Sequence, residues 1–481
     1  MITFGFLKLV FSNTFVLSNR KYRIMKSITI TKKAFLSTAL LFAFLLANNT
    51  VVAQTSVTTS KGKSYHISSS SKNGVRTYHV KDGQKDFRIE YEGDITIADN
   101  DKDITAISRG GFIEIKKSSF GTKRRILIHN ENGTLVKKYF VGWSEKAYNP
   151  DGKKWLSEIL PEILRTTTIA AQSRVDRFYR KGGASRVLSE VSKMKSDYIK
   201  AAYIKLLLKK NLNTSDLVKT ITSTGNYIKS DHYVTQILKS NQKAFLKNSR
   251  TVSAYIEATK SIKSDHYVTS VLKKVVEDTS ITDKQLGDLL EITKGIKSDH
   301  YITQLLKTIM DKRQLNAENM SRILTLTQDV KSDHYKVNIL KKAINNKNLS
   351  DKIYGQFLAI IKDVKSDHYK YTIISEILKV KSNTAALNTA LSLMGTVKSD
   401  HYAANTYKKI ASNYKLSDSQ LIKILTSAGT NIKSSHSLTT VLVALSDQVN
   451  NASSRVKEAY RTTAKRIKSD TYYGRALKAL N

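Results

Sequence analysis

From Lys63 to Val141 apolar and polar residues alternate in short runs, among them Ser64-Tyr65-His66-Ile67, Arg76-Thr77-Tyr78-His79-Val80, Phe87-Arg88-Ile89-Glu90-Tyr91, Phe112-Ile113-Glu114-Ile115, Arg125-Ile126-Leu127-Ile128-His129 and Leu135 to Val141. A period of two puts the apolar side chains on one face of a strand. Asn73-Gly74, Asp82-Gly83 and Asn132-Gly133 lie between these runs, and such pairs tolerate the positive φ of tight hairpins. The pattern predicts an antiparallel sheet of about six to eight strands over 54–148. Its histidines read as ordinary face residues.

Near Pro150 the period lengthens. Trp155, Leu156, Ile159, Leu160, Ile163 and Leu164 fall on neighbouring helical turns, with Pro161 expected to kink or interrupt the helix. Residues 149–183 read as a linker helix region closed by Gly182-Gly183, ahead of a helical array over 184–481.

The array declares itself by self-similarity. A Lys-Ser pair preceded by Met, Ile or Val and usually followed by Asp-His-Tyr recurs with its lysine at 195, 229, 263, 297, 331, 365, 398, 433 and 468. Successive spacings are 34, 34, 34, 34, 34, 33, 35 and 35 residues. After Ser230 come Tyr233, Ile237 and Leu238, and the same offsets give Tyr267, Val271, Leu272 and Tyr301, Leu305, Leu306. These share one helix face, so the motif starts a helix. Ser196, Ser230, Ser264, Ser298, Ser332, Ser366, Ser399, Ser434 and Ser469 are then the expected N-caps, accepting from amides two and three residues on, with the following aspartate at the positive end of the helix dipole.

A first helix in each repeat is announced by Thr282-Asp283-Lys284-Gln285 and Ser417-Asp418-Ser419-Gln420, both of capping-box type. Gly225, Gly295, Gly395 and Gly429 precede the motif where such a helix would end. Helical hairpins that cannot bury their apolar faces alone must stack. The expected fold class is therefore α+β: a small antiparallel β-sheet domain followed by an all-α solenoid of about nine 34-residue helical-hairpin repeats, HEAT-like because the tetratricopeptide signature is missing.

The N-terminus changes the picture of where this fold resides. Lys26, Lys32 and Lys33 precede the apolar run 34–47 and then Val51-Val52-Ala53. That run is shorter than the ~20 residues of a membrane span and reads as a signal peptide over 1–53, cleaved after Ala53, with 1–24 ahead of Met25 from a start assigned too early. A periplasmic or secreted protein, with no transmembrane span after cleavage, is expected. The chain has no cysteine, which excludes disulfides and thiolate metal sites.

Net charge is +40 for the whole chain, +33 beyond residue 53 and +27 over 151–481. Such an excess draws polyanionic partners. Nucleic acid is the first that comes to mind, and export argues against it.

Candidate chemistry concentrates in the repeat. Lys229, His232, Lys263, His266, Lys297, His300, Lys331, His334, Lys365, His368, Lys398 and His401 form a ladder along one edge, beside helix N-termini that favour anions. The ladder suits an anionic cell-envelope polymer or an acidic protein. A solvated basic face without a ligand is the competing reading. Metal binding by the repeated Asp-His-Tyr is a third, against which stands the 8–10 Å separation of stacked helices. No unique nucleophile or carboxylate dyad accompanies the repeated His-Asp pairs, so no catalysis and no cofactor is expected.

The stretch Trp155-Leu156-Ser157-Glu158-Ile159-Leu160-Pro161-Glu162-Ile163-Leu164-Arg165, with Ala170-Ala171, Arg174-Val175, Gly182-Gly183 and Ser196-Asp197-Tyr198, resembles the extracytoplasmic helical-repeat sensor region of proteins related to BlaR-type membrane metallopeptidases. The resemblance spans about residues 85–481 and implies a sensor or interaction domain. It carries no catalytic residue over, because no histidine here is followed by glutamate as in the family's His-Glu-x-x-His zinc motif. His232 and Tyr233 stand where that family has Tyr and Glu. The sequence thus points to an exported, non-catalytic binding or scaffold protein, with a periplasmic sensor or regulatory module acting through the β-rich domain as the alternative.

Overall fold

The computed structural model describes residues 56–60, 63–82, 85–119, 121–277, 281–345, 351–379 and 384–480. The apolar run 34–47 and the cleavage site after Ala53 lie outside the described residues, as does Gly83. Ten strands come first: β1 (Ser56–Ser60), β2 (Lys63–Lys72), β3 (Val75–Asp82), β4 (Lys85–Glu92), β5 (Ile95–Ile97), β6 (Ile104–Ile107), β7 (Phe112–Ser119), β8 (Thr122–Glu131), β9 (Thr134–Val141) and β10 (Ser144–Lys146). Eight of them form one antiparallel sheet in the order β1-β2-β3-β4-β7-β8-β9-β10, while β5 and β6 make a separate hairpin. Asn73 and Gly74, and Asn132 and Gly133, take φ of 51°, 82°, 52° and 95°, the doubly positive turn that their sequence predicts.

One face of the sheet is apolar. Val80, Phe87, Ile89, Ile113, Ile115, Ile126 and Ile128 are buried in one cluster with Trp155, Leu156, Ile159, Leu160, Ile163 and Leu164 from the helix Lys153–Thr166. That helix runs through Pro161, against the expected interruption. A mid-helix proline costs about 3 kcal/mol, and burial of six large side chains on both sides of it outweighs that. The segment read as a linker divides between two cores: residues to Ala170 pack under the sheet, and Ala171 onward joins the core of the array.

The array alternates first and second helices. The second helices are Asp197–Leu208, Asp231–Ser240, Asp265–Glu277, Asp299–Lys312, Asp333–Ile344, Asp367–Ile377, Asp400–Asn413, Ser435–Asn450 and Asp470–Lys478, each starting right after the motif serine. Second helices pack on second helices and first on first, and the residue before each motif lysine, from Met194 and Ile228 to Ile432 and Ile467, is buried. Both predicted capping boxes, Thr282 with Gln285 and Ser417 with Gln420, are formed.

Gly295 and Gly395 fall just past the helices that end at Thr293 and Leu393, as expected, while the other two pre-motif glycines do a different job. Neither Gly225 nor Gly429 has positive φ, and both lie inside helices. A Cβ on Gly225 would meet Ala258 Cα at 3.1 Å and Ala258 O at 3.3 Å, so the missing side chain lets two first helices approach. At Gly355, where an added Cβ meets nothing within 4 Å, Gly→Ala should stabilise by up to about 1 kcal/mol through helix propensity. Gly225→Ala is expected to lose that gain and more, about 1–3 kcal/mol. Paired thermal melts of the two variants check this, and equal shifts would refute the packing role.

Sheet and array are joined by a buried ion cluster. Asp101, with φ of 60° at the turn between β5 and β6, faces helix Ala171–Val191. Arg174, 1% exposed, donates to Asp101 at 2.8 Å, to Glu190 at 3.0 Å, to the Leu164 carbonyl at 3.1 Å and to the Tyr203 hydroxyl. Arg177 bonds Asp101 and donates to the Ala98 carbonyl at 2.9 Å, and Arg165 donates to Glu190 at 2.7 Å. Burial raises the pKa of Asp101, but Arg174 and then Arg177 outweigh it and hold the carboxyl below the usual range. Glu190 follows the same pattern: burial pushes up, and Arg165 and Arg174 bring it below its ordinary value.

Candidate functional site

The motif is first of all a joint between repeats. Eight of the nine motif serines, all but Ser264, are seen with the extended φ/ψ of an N-cap, for example −78°, 115° at Ser230, and the carbonyl of each motif serine accepts the first helical bond, as from Val234 N at 3.1 Å. Its side chain does not do the expected work: Ser196, Ser230, Ser298, Ser332, Ser366, Ser399 and Ser469 make no side-chain cap bond. Ser434 does, accepting from Ser437 N at 3.3 Å.

The aspartate carries the local chemistry instead, and it acts on the next repeat. Asp197 Oδ2 accepts from Lys229 N at 2.9 Å and Ser230 N at 2.8 Å. Asp231 does the same for Lys263 and Ser264, Asp265 for Lys297 and Ser298, Asp299 for Lys331 and Ser332, Asp333 for Lys365 and Ser366, Asp367 for Lys398 and Ser399, and Asp400 for Lys433 and Ser434. In the eighth repeat, where serine replaces aspartate, Ser435 Oγ accepts from Lys468 N at 3.3 Å. Two backbone donors at each of the first seven inter-repeat turns are thus satisfied by the preceding repeat, which fixes one repeat on the next.

Histidine and tyrosine form a second ladder on the same edge. His300 Nδ1 lies 3.5 Å from Tyr335 Oη, and the equivalent atoms of His266 and Tyr301, His334 and Tyr369, and His368 and Tyr402 are 3.4 Å apart. His300 Nε2 meets the Gln304 amide nitrogen at 2.8 Å, and His334 meets that of Asn338 at 3.1 Å. An amide nitrogen donates, so Nε2 accepts and the Nδ1 proton points to the tyrosine of the next repeat. Each of these rings also lies edge-on to tyrosine, as His300 does to Tyr301 at 5.3 Å and Tyr335 at 6.0 Å. Both imidazole nitrogens of His300 and His334 are thereby engaged within the protein. Among the described residues no group of three or more His, Cys, Asp or Glu is placed to hold a metal ion.

What remains open on this edge is lysine. Lys229, Lys263, Lys297, Lys331, Lys365 and Lys398 are exposed, and none forms an ion pair among the described residues. His232, His266, His300, His334, His368 and His401 are exposed beside them. The structure brings all twelve ladder positions to one edge, with the intervening aspartates turned toward backbone amides.

A second surface was not legible in the sequence. On the sheet face opposite the helix Lys153–Thr166, strand register aligns His79, Arg88, Lys116, Arg125 and Phe140 in a row across β3, β4, β7, β8 and β9. The neighbouring row holds Thr77, Glu90, Glu114 and Leu127. Arg88 pairs with Glu90 at 2.8 Å, while Lys116 and Arg125 pair with Glu114 at 2.5 and 3.1 Å. The Arg125 guanidinium lies 3.8 Å from the centre of the Phe140 ring. Between β9 and β10 the Gly142 turn (φ 62°), bonded to the Lys123 carbonyl at 2.9 Å, presents Trp143, 98% exposed. His79, Arg88, Lys116, Arg125, Gly142 and Trp143 are among the residues that line a cleft of about 720 Å³. The basic runs Lys116-Lys117 and Lys123-Arg124-Arg125 were its only trace in the sequence.

Among the described residues no helix is long and apolar enough to cross a membrane. No family model matches the chain, and no curated protein matches it. A solved structure described as "Computational Design of Self-Assembling Cyclic Protein Homooligomers" is similar over 66% of this chain and 94% of that chain, at 9% identity and a TM-score of 0.11, a likeness too weak to carry an argument. The sheet, the stacked repeats and their two basic surfaces are therefore what any account of function rests on.

Proposed function

We propose that the chain is an exported, non-catalytic binding or scaffold protein whose repeat array recognises a protein or an anionic envelope component along the motif edge. The observation that carries this reading is the row of exposed lysines Lys229, Lys263, Lys297, Lys331, Lys365 and Lys398 at successive helix N-termini, none of them in an ion pair among the described residues. Aspartate of the same motif is occupied in joining repeats, as are His266, His300, His334 and His368 with the tyrosine of the next repeat, so the lysines stand at a spacing that the joints hold fixed. A polyanion, or an acidic protein surface, gains one contact per repeat on such an edge, and multiple weak contacts add to avidity.

The test is retention of the purified chain on immobilised polyglutamate as salt is raised. Binding is expected at low ionic strength and should weaken steeply as screening sets in. Replacing Lys229, Lys263, Lys297, Lys331, Lys365 and Lys398 together by glutamine should weaken it by about tenfold or more, given 1.4 kcal/mol per tenfold. Unchanged retention of that variant would overturn the array reading. A sensor or regulatory role acting through the β-rich domain, which the resemblance to BlaR-related sensor regions suggests, is the second reading. It is favoured by the basic cleft on the sheet.

A further inference from the structure

We infer that the outer face of the sheet is a binding site for an anionic oligosaccharide, its charges taken by the row Arg88, Lys116 and Arg125 and a sugar ring stacked on Trp143. This deepens the second reading, in which the β-rich domain has its own ligand. It is independent of the array edge.

Adjacent strands stand 4.7–4.9 Å apart, and like charges directly opposite one another destabilise a sheet. Arg88, Lys116 and Arg125 are directly opposite on three consecutive strands. Glu90 and Glu114 relieve part of that repulsion, and they also hold the cations over the face rather than splayed into solvent. Lys123 and Arg124 at the end of β8 have no ion pair among the described residues and add further positive charge at the cleft. The row still carries a net positive charge, which an anion lying across it would offset.

Trp143 stands apart from the other exposed side chains. Among the described residues the large hydrophobics that remain exposed are Val141, Trp143 and Val443, and the other two are 36% and 37% exposed. A fully exposed indole at the rim of a polar cleft forgoes a large burial gain. The turn that carries it is tethered to β8 beside Lys123, so the ring is held at the cleft and not on a free loop.

The mixed charge of the face selects the ligand. Carboxylates lie within the cationic surface: Glu90 and Glu114 in the next row, and Asp86 2.6 Å from His79. A phosphodiester chain would be repelled by them. A glycan bearing carboxylates or sulfates presents hydroxyls that donate to Glu and Asp, anionic groups that pair with Arg and Lys, and an apolar ring face that stacks on tryptophan. The mixed face matches that combination.

The probe is oligogalacturonate, with neutral galactan and a single-stranded DNA oligonucleotide as competitors. The chain has two tryptophans, and Trp155 is buried in the sheet core, so a saturable change in tryptophan fluorescence reports on Trp143. Oligogalacturonate should produce it, and galactan should bind at least about tenfold more weakly. Lys116→Gln with Arg125→Gln should weaken binding by about tenfold or more. Trp143→Ala, whose fully exposed side chain should leave folding intact, should abolish the signal and weaken binding measured by calorimetry. The variant lacking the six array lysines should titrate like the parent, which separates this inference from the array reading. No saturable change with oligogalacturonate, equal binding of galactan, tighter binding of DNA, or parental affinity in the sheet variants would each overturn it.

Discussion

Replacing Arg174 by methionine is expected to lower stability by about 3 kcal/mol, because it removes the most buried member of an ion cluster and leaves each of its two carboxylates with one cation fewer. Asp101 would keep Arg177 and Glu190 would keep Arg165, but the residue lying between the two carboxylates would be gone. The loss should be concentrated at the junction of sheet and array. Trp155 lies in the sheet core, 5.8 Å from the Tyr139 ring centre, whereas far-ultraviolet circular dichroism follows the helices. In urea, the fluorescence transition of the variant should move to lower denaturant than the helical one. Coincident, unshifted transitions would show that the cluster does not couple the two parts.

The same cluster sets an acid limit. Asp101 and Glu190 are both held below their ordinary values, Asp101 by Arg174 and Arg177 against burial, and Glu190 by Arg165 and Arg174 against burial. A carboxyl whose folded pKa is depressed contributes stability that is fully present above its unfolded value and is lost as pH falls through the folded one. The contribution should therefore be intact above about pH 5 and be lost progressively as pH falls below about 4 and through the depressed folded values. Arg174→Met should flatten that part of the stability–pH curve.

Asp299→Ala is expected to cost about 1.5–3 kcal/mol, since it strips two backbone amides, Lys331 N and Ser332 N, of a charged acceptor. Asp299→Asn, which keeps an oxygen in place, should cost less. The consequence reaches beyond one turn. In a stacked array each repeat is stabilised by its own helices and by its neighbours, so weakening a central interface should let the two halves unfold with separate midpoints. A single cooperative transition at the parental midpoint would show that the aspartate ladder does not join the repeats. The natural exception at Ser435, with one longer bond to Lys468 N, predicts that the C-terminal end is where the parent protein opens first. Hydrogen exchange at the final repeats measures that.

Much of the architecture could be read from residues because it depends on neighbours in the chain. The strands of Tyr78, Ile89 and Ile126 follow from alternation, their hairpins from Asn-Gly pairs, and the second helices from a motif whose period left no alternative register. Capping boxes at Thr282 and Ser417 are likewise local, closing within four residues. What the chain could not reveal by itself were contacts between residues whose pairing depends on the fold. Asp299 reads as a helix-start residue from its neighbours, yet its carboxylate bonds a turn 32 residues away. Gly225 reads as a helix end, and only the approach of Ala258 shows why it has no side chain. Arg174 gives no local sign that it will meet Asp101 across 73 positions. Arg88, Lys116 and Arg125 share no sequence period, and strand order alone lines them up. Period and turn chemistry thus determined the elements and the direction of stacking. Register and close packing, which arise only when distant segments meet, decided which motif side chains join repeats and where the charged faces lie.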